Sequence, residues 1–299
     1  VKIDLFDDDE LFDDGAEASR ERPPRKPQRR RRGRGGGETA KRILVALPWI
    51  LFAIVITVAG GLVFAAAMVG LGVLALREFA AVAARYRPLV IPAYISVAAL
   101  VAAAYFGTSF NVLYVIAATF PLLFAFSIDA RHRDAVTVSM GVTLLGVVWI
   151  GIPLAHAVFL RELPDHGAAL LIDVLVGTFV ADTAAYATGR MFGSHKIAPH
   201  LSPNKTLEGL IGGFVIGTMG FWFAGLYQDW LSGVDALMIG AAAAAVAPLG
   251  DLFESMLKRD FGIKDTGTLF GPHGGLLDRL DAVLFTIVIG YYLAVAVVY

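Results

Sequence analysis

From Ile43 onward the chain alternates long apolar runs with short polar breaks. Each run is close to the roughly 20 residues an α-helix needs to cross a hydrocarbon core of about 30 Å. The runs are Ile43–Ala59, Gly60–Leu76, Leu89–Phe106, Ser109–Phe126, Ala135–Leu160, Ala168–Arg190, Leu207–Tyr227, Ala236–Phe253 and Leu277–Val298. The first two form a tight pair hinged at Gly60–Gly61. Lipid offers no partners to an open strand edge, so these segments are predicted to be helices. The expected fold is an all-α polytopic membrane protein with about nine transmembrane helices.

Composition sharpens this picture. Residues 1–42 hold 12 of the 25 Lys and Arg and 10 of the 26 Asp and Glu, while residues 43–299 are only about 11% charged against roughly 25% in soluble proteins. A soluble globule with so few charges could not cover its surface. The absence of cysteine excludes a disulfide scaffold and a Cys-ligated zinc or iron–sulfur site. The first 42 residues pass from an acidic block (Asp7 to Asp14) to a basic one (Arg29 to Arg32) and a Gly-rich joint. Such blocks do not fold alone, so residues 1–42 are expected to be a disordered charged cytoplasmic tail, with residues 43–299 as the transmembrane domain in which any catalytic site must lie. The basic stripe suits anionic headgroups; a nucleic-acid role is not expected, because nothing aromatic is interleaved. No secretory signal is expected, since some forty polar residues precede the first apolar run and no small-residue cleavage site follows it.

The basic residues orient the spans. With the tail inside, Arg77, Arg85, Arg87, Arg131, Arg133, Arg190, Lys196, Lys205, Lys258, Arg259, Lys264 and Arg279 all fall on the cytoplasmic side, and only Arg161 falls outside. The C-terminus then ends outside. Chemistry on charged substrates is expected at the cytoplasmic face of the cell membrane.

Half of the acids beyond the tail concentrate in two inner segments, residues 182–213 and 251–281. Asp251, Ser255 and Lys258 are spaced i, i+4, i+7 and share a helix face; Asp278 and Asp281 are i, i+3; Asp182 and Tyr186 are i, i+4. A carboxylate inside a membrane helix costs about 2.5–3.5 kcal/mol on insertion scales, so it faces a cavity with a partner. Three helices each offering an Asp at similar depth point to a cation, and oxygen ligands without cysteine favour Mg²⁺ or another hard ion. The blander alternative is that these acids simply tie helix ends to nearby Lys and Arg. That alternative is preferred for Asp173, alone near the outer end of its span, and is evenly balanced for Glu78 beside Arg77. Gly271–Pro272–His273–Gly274–Gly275 offers close backbone approach and N–H donors to phosphate. His132, His156, His166 and His200 are expected to have no catalytic role. Cations and metal-binding carboxylates in the same loops suit a polyanionic substrate and phosphoryl or nucleotidyl transfer. No GxxxxGK[ST] loop is present.

Ser255-Met-Leu-Lys258-Arg259, Lys264-Asp265 and His273-Gly-Gly-Leu-Leu-Asp278-Arg279-Leu-Asp281 together resemble the signature of the phosphatidate cytidylyltransferases, or CDP-diacylglycerol synthases. The stretch Asp182…Gly189…Ser202-Pro203-Asn204-Lys205-Thr206…Glu208-Gly209…Gly212-Gly213 resembles the same family. The resemblance implies a reaction of CTP with phosphatidic acid to give CDP-diacylglycerol and pyrophosphate, with Mg²⁺, and it admits a potassium ion beside the magnesium. It also implies an integral membrane enzyme, commonly dimeric, in phospholipid biosynthesis. On this basis Asp251 and Asp278 are expected to carry the metal, with Asp281 as a ligand or a supporting group, and Lys258 to act with them in catalysis. Lys258, Arg259 and Lys264 are expected to hold the triphosphate, and Ser202, Lys205 and Thr206 a phosphate. Asp182, Ser255, Asp265, His273 and Arg279 complete the expected substrate-binding set. Two rivals stand beside this reading: a CTP-dependent kinase acting on a polyprenol, which leaves the full Ser255–Asp281 pattern without a reason, and a cation-coupled transporter using Asp182, Asp251 and Asp278 as a relay. A transporter predicts inverted repeats with broken helices near the midplane, and none is visible.

Overall fold

Every apolar run is helical in its described part. The structure is a computed structural model that describes residues 48–128, 135–263, 265–267 and 274–299. The tail, Arg131, His132, Arg133, Lys264 and His273 lie outside the described residues, which all belong to one compact unit. The helices are α1 (Pro48–Ala59, from the first described residue), α2 (Gly61–Val82), α3 (Val90–Phe106), α4 (Ser109–Ser127), α5 (Val136–Arg161), α6 (Gly167–Phe192), α7 (Leu207–Gly225), α8 (Gly233–Asp260) and α9 (Leu277–Val297). Seven of these are long and apolar enough to cross a membrane, and α1 and α3 are apolar but shorter among the described residues. The protein is therefore a helical polytopic membrane protein.

The boundaries follow local chemistry. Gly60 and Gly61 both sit at positive φ, 61° and 51°, and break α1 from α2 without a side-chain penalty. The Glu162 carboxylate accepts from the Gly61 N–H at 2.9 Å, satisfying a donor that the helix start leaves open. Thr206 caps α7 through its hydroxyl, which accepts from Gly209 N at 3.1 Å, and Ser232 caps α8 by accepting from Asp235 N at 3.1 Å. Helix α5 carries a π-helical turn at Val147–Gly151. This turn includes Trp149, which packs edge-on against Phe253 of α8 at 5.2 Å and Phe79 of α2 at 6.1 Å. The all-helical expectation fails in one place among the described residues. Lys196–Ala198 (β1) and Ser202–Thr206 (β2) form a short antiparallel hairpin leading into α7. Lipid forbids open strands only within the hydrocarbon, and this segment lies beyond the end of α6.

The two ends of the bundle are chemically distinct. At one end Arg85, after α2, donates to the Asp260 carbonyl at 2.7 Å, so the α2–α3 break meets the end of α8. At the other, Arg161 bonds the Thr57 carbonyl, and the Tyr299 hydroxyl bonds the Pro164 carbonyl. Arg161, the one basic residue assigned to the opposite face by the charge pattern, therefore lies away from the Arg85 end.

Candidate active site

The α8–α9 crossing brings the acids together. Gly250 faces Ala282 so closely that an added Cβ would lie 2.9 Å from its Cα, and it would collide with the Asp281 carbonyl. Only a residue without a side chain lets the two backbones touch here, and this contact sets Asp251 and Asp281 side by side. Oxygens of Asp251, Glu254 and Asp281 all lie within 4.8 Å of one another. Asp182, from α6, is in electrostatic reach of Asp251, Asp281 and Lys205.

Two lysines enter this acidic group. Lys205, at the end of β2, pairs with Asp251 at 2.8 Å and also donates to the Pro248 carbonyl at 3.3 Å. Lys258 bridges Glu254 at 2.6 Å and Asp278 at 2.9 Å, with little of any of the three side chains exposed. Glu254 is 1% exposed, and its Oε1 is buried with no hydrogen-bond partner among the described residues. A buried carboxylate oxygen without a donor is costly, and a hard cation beside Asp251 and Asp281 would satisfy it. The donor set therefore fits a divalent ion of the Mg²⁺ type: three carboxylates of like charge, oxygen ligands alone, one of them orphaned.

Asp278 does different work. Its carboxylate accepts from Lys258, from Gly275 N at 2.7 Å and from Thr266 N at 3.1 Å. Gly274, at φ 87°, approaches so closely that a side chain there would strike the Asp278 carboxylate. Asp278 is thus tied to Lys258 and to the backbone that precedes α9, rather than joining the group of three. Glu78, from α2, completes the clamp by accepting from Leu277 N at 3.0 Å, 199 residues away, so it caps the start of α9.

The other predicted residues separate clearly. Ser255 donates to Asp251 at 3.4 Å, at the long end of the range. Arg259 donates to the Leu201 carbonyl at 3.2 Å, fastening the hairpin to α8. Thr206 is buried at 4% exposure and engaged in the α7 cap, while Ser202 is half-buried in β2. Asp265 and Arg279 are exposed. His195, to which the sequence assigned no role, holds the Glu208 carboxylate at 2.6 Å and supports the hairpin rather than the acids. Glu254 was not among the expected site residues, and Glu78, evenly balanced on sequence between a functional role and a tie to Arg77, is the cap of α9. For Glu254 a signal was present: it stands i+3 from Asp251 and i−4 from Lys258.

Fold and site together define a class: a helical membrane protein with a carboxylate–lysine centre where α6, α7, α8 and α9 meet. The chain belongs to the cytidylyltransferase family, whose profile matches residues 40–297. Its relatives include the phosphatidate cytidylyltransferase of Thermotoga maritima, 35% identical over 188 residues that cover 60% of this chain and 67% of that protein. The phosphatidate cytidylyltransferase of Haemophilus influenzae is 41% identical over 124 residues, 40% of this chain and 43% of its own length. That of Bacillus subtilis is 34% identical over 155 residues, 52% and 58% respectively. The aligned stretch thus spans about two thirds of the first of these relatives and roughly half of the other two.

Proposed function

We propose that this chain transfers the cytidylyl group of CTP to phosphatidic acid, giving CDP-diacylglycerol and pyrophosphate. The observation that carries this reading is the grouping of Asp251, Glu254 and Asp281 beside Lys258 and Lys205, inside the stretch matched by the family. The names of the relatives support the same substrate pair.

In this reaction a phosphate oxygen of phosphatidate attacks the α-phosphorus of CTP. The bond from that phosphorus to the bridging oxygen breaks, and pyrophosphate leaves. The attacking phosphate is already ionised near pH 7, because the second pKa of a phosphate monoester is about 6. No strong general base is required, in keeping with a site built on carboxylates and lysines. Asp251, Glu254 and Asp281 would hold Mg²⁺, which supplies charge neutralisation on the triphosphate and the leaving pyrophosphate. A potassium ion beside it is compatible with the same acids. Lys258, fixed by Glu254 and Asp278, presents its ammonium to the triphosphate, and Asp278 acts by positioning it. Arg259 and Arg279, with Ser255 and Asp265, are proposed to serve the phosphates from α8 and the start of α9; Lys264 and His273, outside the described residues, belong to the same proposal on the family resemblance alone. Lys205 and Ser202 approach from the hairpin, and Asp182 from α6.

The same reading sets nine crossings with the N-terminus cytoplasmic, the C-terminus outside and the site at the cytoplasmic face of the cell membrane. The charge pattern supports this orientation. A homodimer belongs to the proposal on the family resemblance. One assay tests the function: purified protein with labelled CTP, phosphatidate and Mg²⁺. Label is expected in the lipid phase, with release of pyrophosphate. Absence of both overturns the reading and favours a cation-coupled transporter.

A further inference from the structure

An apolar groove of about 570 Å³ runs between α1 and α6. One wall is a single face of α1, with Ile50, Ala53, Ile54 and Thr57 at i, i+3, i+4, i+7; the other is a face of α6 that includes Ile172, Val176, Phe179, Thr183 and Ala187. Two such apolar stripes ordinarily close on one another, yet here they stand apart by a space within the usual range of ligand pockets. Its Thr57 end lies on the Arg161 side of the bundle, because the Thr57 carbonyl accepts from Arg161. Its other end therefore points toward the acids.

The groove face of α6 does not stop at Ala187. Thr183, Ala187 and Arg190 are spaced i, i+4, i+7, and Tyr186 follows Thr183 at i+3. The face that is apolar along the groove thus ends in a cation and a phenol. Arg190 donates to the Tyr186 hydroxyl at 2.8 Å; both are exposed, and among the described residues no carboxylate pairs with Arg190. Asp182, one residue before the groove-lining Thr183, is in electrostatic reach of Asp251.

We infer that this groove and its polar end form the phosphatidate site: an acyl chain lies between α1 and α6, and Arg190 with Tyr186 receives the phosphate before it passes to the acids. The inference rests on the proposed function and deepens it, by separating the lipid approach along α6 from the triphosphate approach along α8 and α9. Three features favour a phosphate-bearing lipid over a neutral one or a second helix. The lining is apolar, the cation at its end has no acid partner among the described residues, and a guanidinium donates to phosphate in a fixed fork. A packed helix would fill the groove but leave Arg190 without a role.

The test has a binding arm and a turnover arm, both on the full chain in detergent. In native mass spectrometry with dioleoyl-phosphatidate and dioleoyl-phosphatidylcholine, the wild type is expected to retain phosphatidate preferentially. Arg190→Gln and Ala187→Trp should each lower that retention about tenfold, the loss of one charge-assisted contact or of the groove volume. In turnover, Arg190→Gln and Tyr186→Phe should raise the KM for phosphatidate and leave the KM for CTP unchanged, which also reports a folded enzyme. Ala187→Trp should impair dioleoyl-phosphatidate and spare dihexanoyl-phosphatidate, whose short chains do not need the groove. If the wild type makes CDP-diacylglycerol while the variants retain and use phosphatidate as it does, the groove assignment is overturned and the function stands. If phosphatidate is retained through Arg190 but no CDP-diacylglycerol forms, the groove stands and the function falls.

Discussion

Asp173 and Asp281 both sit on membrane helices, near opposite ends of the bundle, and they show two ways of keeping an acid there. Asp173 is 4% exposed and has a private partner, the Gln228 amide, which donates to it at 2.6 Å. Asp281 shares its surroundings with Asp251 and Glu254, its described hydrogen bond comes from its neighbour Ala282 N, and one Glu254 oxygen beside it has no donor among the described residues. The first acid has a single neutral partner, whose own Oε1 is buried without a hydrogen-bond partner among the described residues. The second belongs to a group whose negative charge exceeds what Lys205 and Lys258 supply, and such a group is poised for a cation. The two surroundings differ in the ratio of acids to donors: one acid to one amide around Asp173, three acids to two lysines around Asp281.

The largest effect is expected for Asp281→Asn or Asp251→Asn. Either should lower CTP-dependent formation of CDP-diacylglycerol by at least about 100-fold, the scale set by losing several kcal/mol of charge stabilisation. For Asp281→Asn protein yield and melting temperature should be little changed, since removing one of three like charges relieves repulsion, whereas Asp251→Asn also gives up the pair with Lys205; an Asp281→Asn variant that is inactive because it is unfolded would contradict this. Next comes Lys258→Ala, which strands Glu254 and Asp278 without their shared cation. Breaking a buried pair costs about 3–5 kcal/mol, so both activity and thermal stability should fall, and Arg161→Ala, at the other end, should leave CTP use intact. Equal effects of the two on the KM for CTP would break the separation of the two ends. The smallest effect is expected for Asp173→Asn, which keeps an acceptor for Gln228: turnover unchanged and stability altered by less than about 1 kcal/mol. Loss of turnover there would place Asp173 in the mechanism.

Much of this was legible in the sequence, for a definite physical reason. In a bilayer each helix declares itself by length and hydropathy without help from its neighbours, so α2 to α9 begin within one or three residues of the predicted runs. The concentration of acids in residues 182–213 and 251–281 was equally visible, because the bilayer removes ordinary surface charge. What the sequence could not display were contacts set by helix crossings. Glu78 reaches the start of α9 only because α2 packs beside it, and no local spacing announces that. The division of labour between Asp278 and Glu254 likewise depends on where the Gly250 contact places α9 against α8. The hairpin at 196–206 is not legible in the sequence, since SPNKT lacks the apolar alternation of a strand.

Asp251, Glu254 and Asp281, which outnumber the two lysines that reach them, are proposed to hold the divalent ion the reaction uses. Titration of Mn²⁺ as a paramagnetic stand-in for Mg²⁺, followed by electron paramagnetic resonance on purified wild type, Asp281→Asn and Asp173→Asn with CTP present, tests it directly. Saturable Mn²⁺ binding is expected in the wild type and in Asp173→Asn, and its loss in Asp281→Asn. Unchanged binding in Asp281→Asn, or an equal loss in Asp173→Asn, would contradict it.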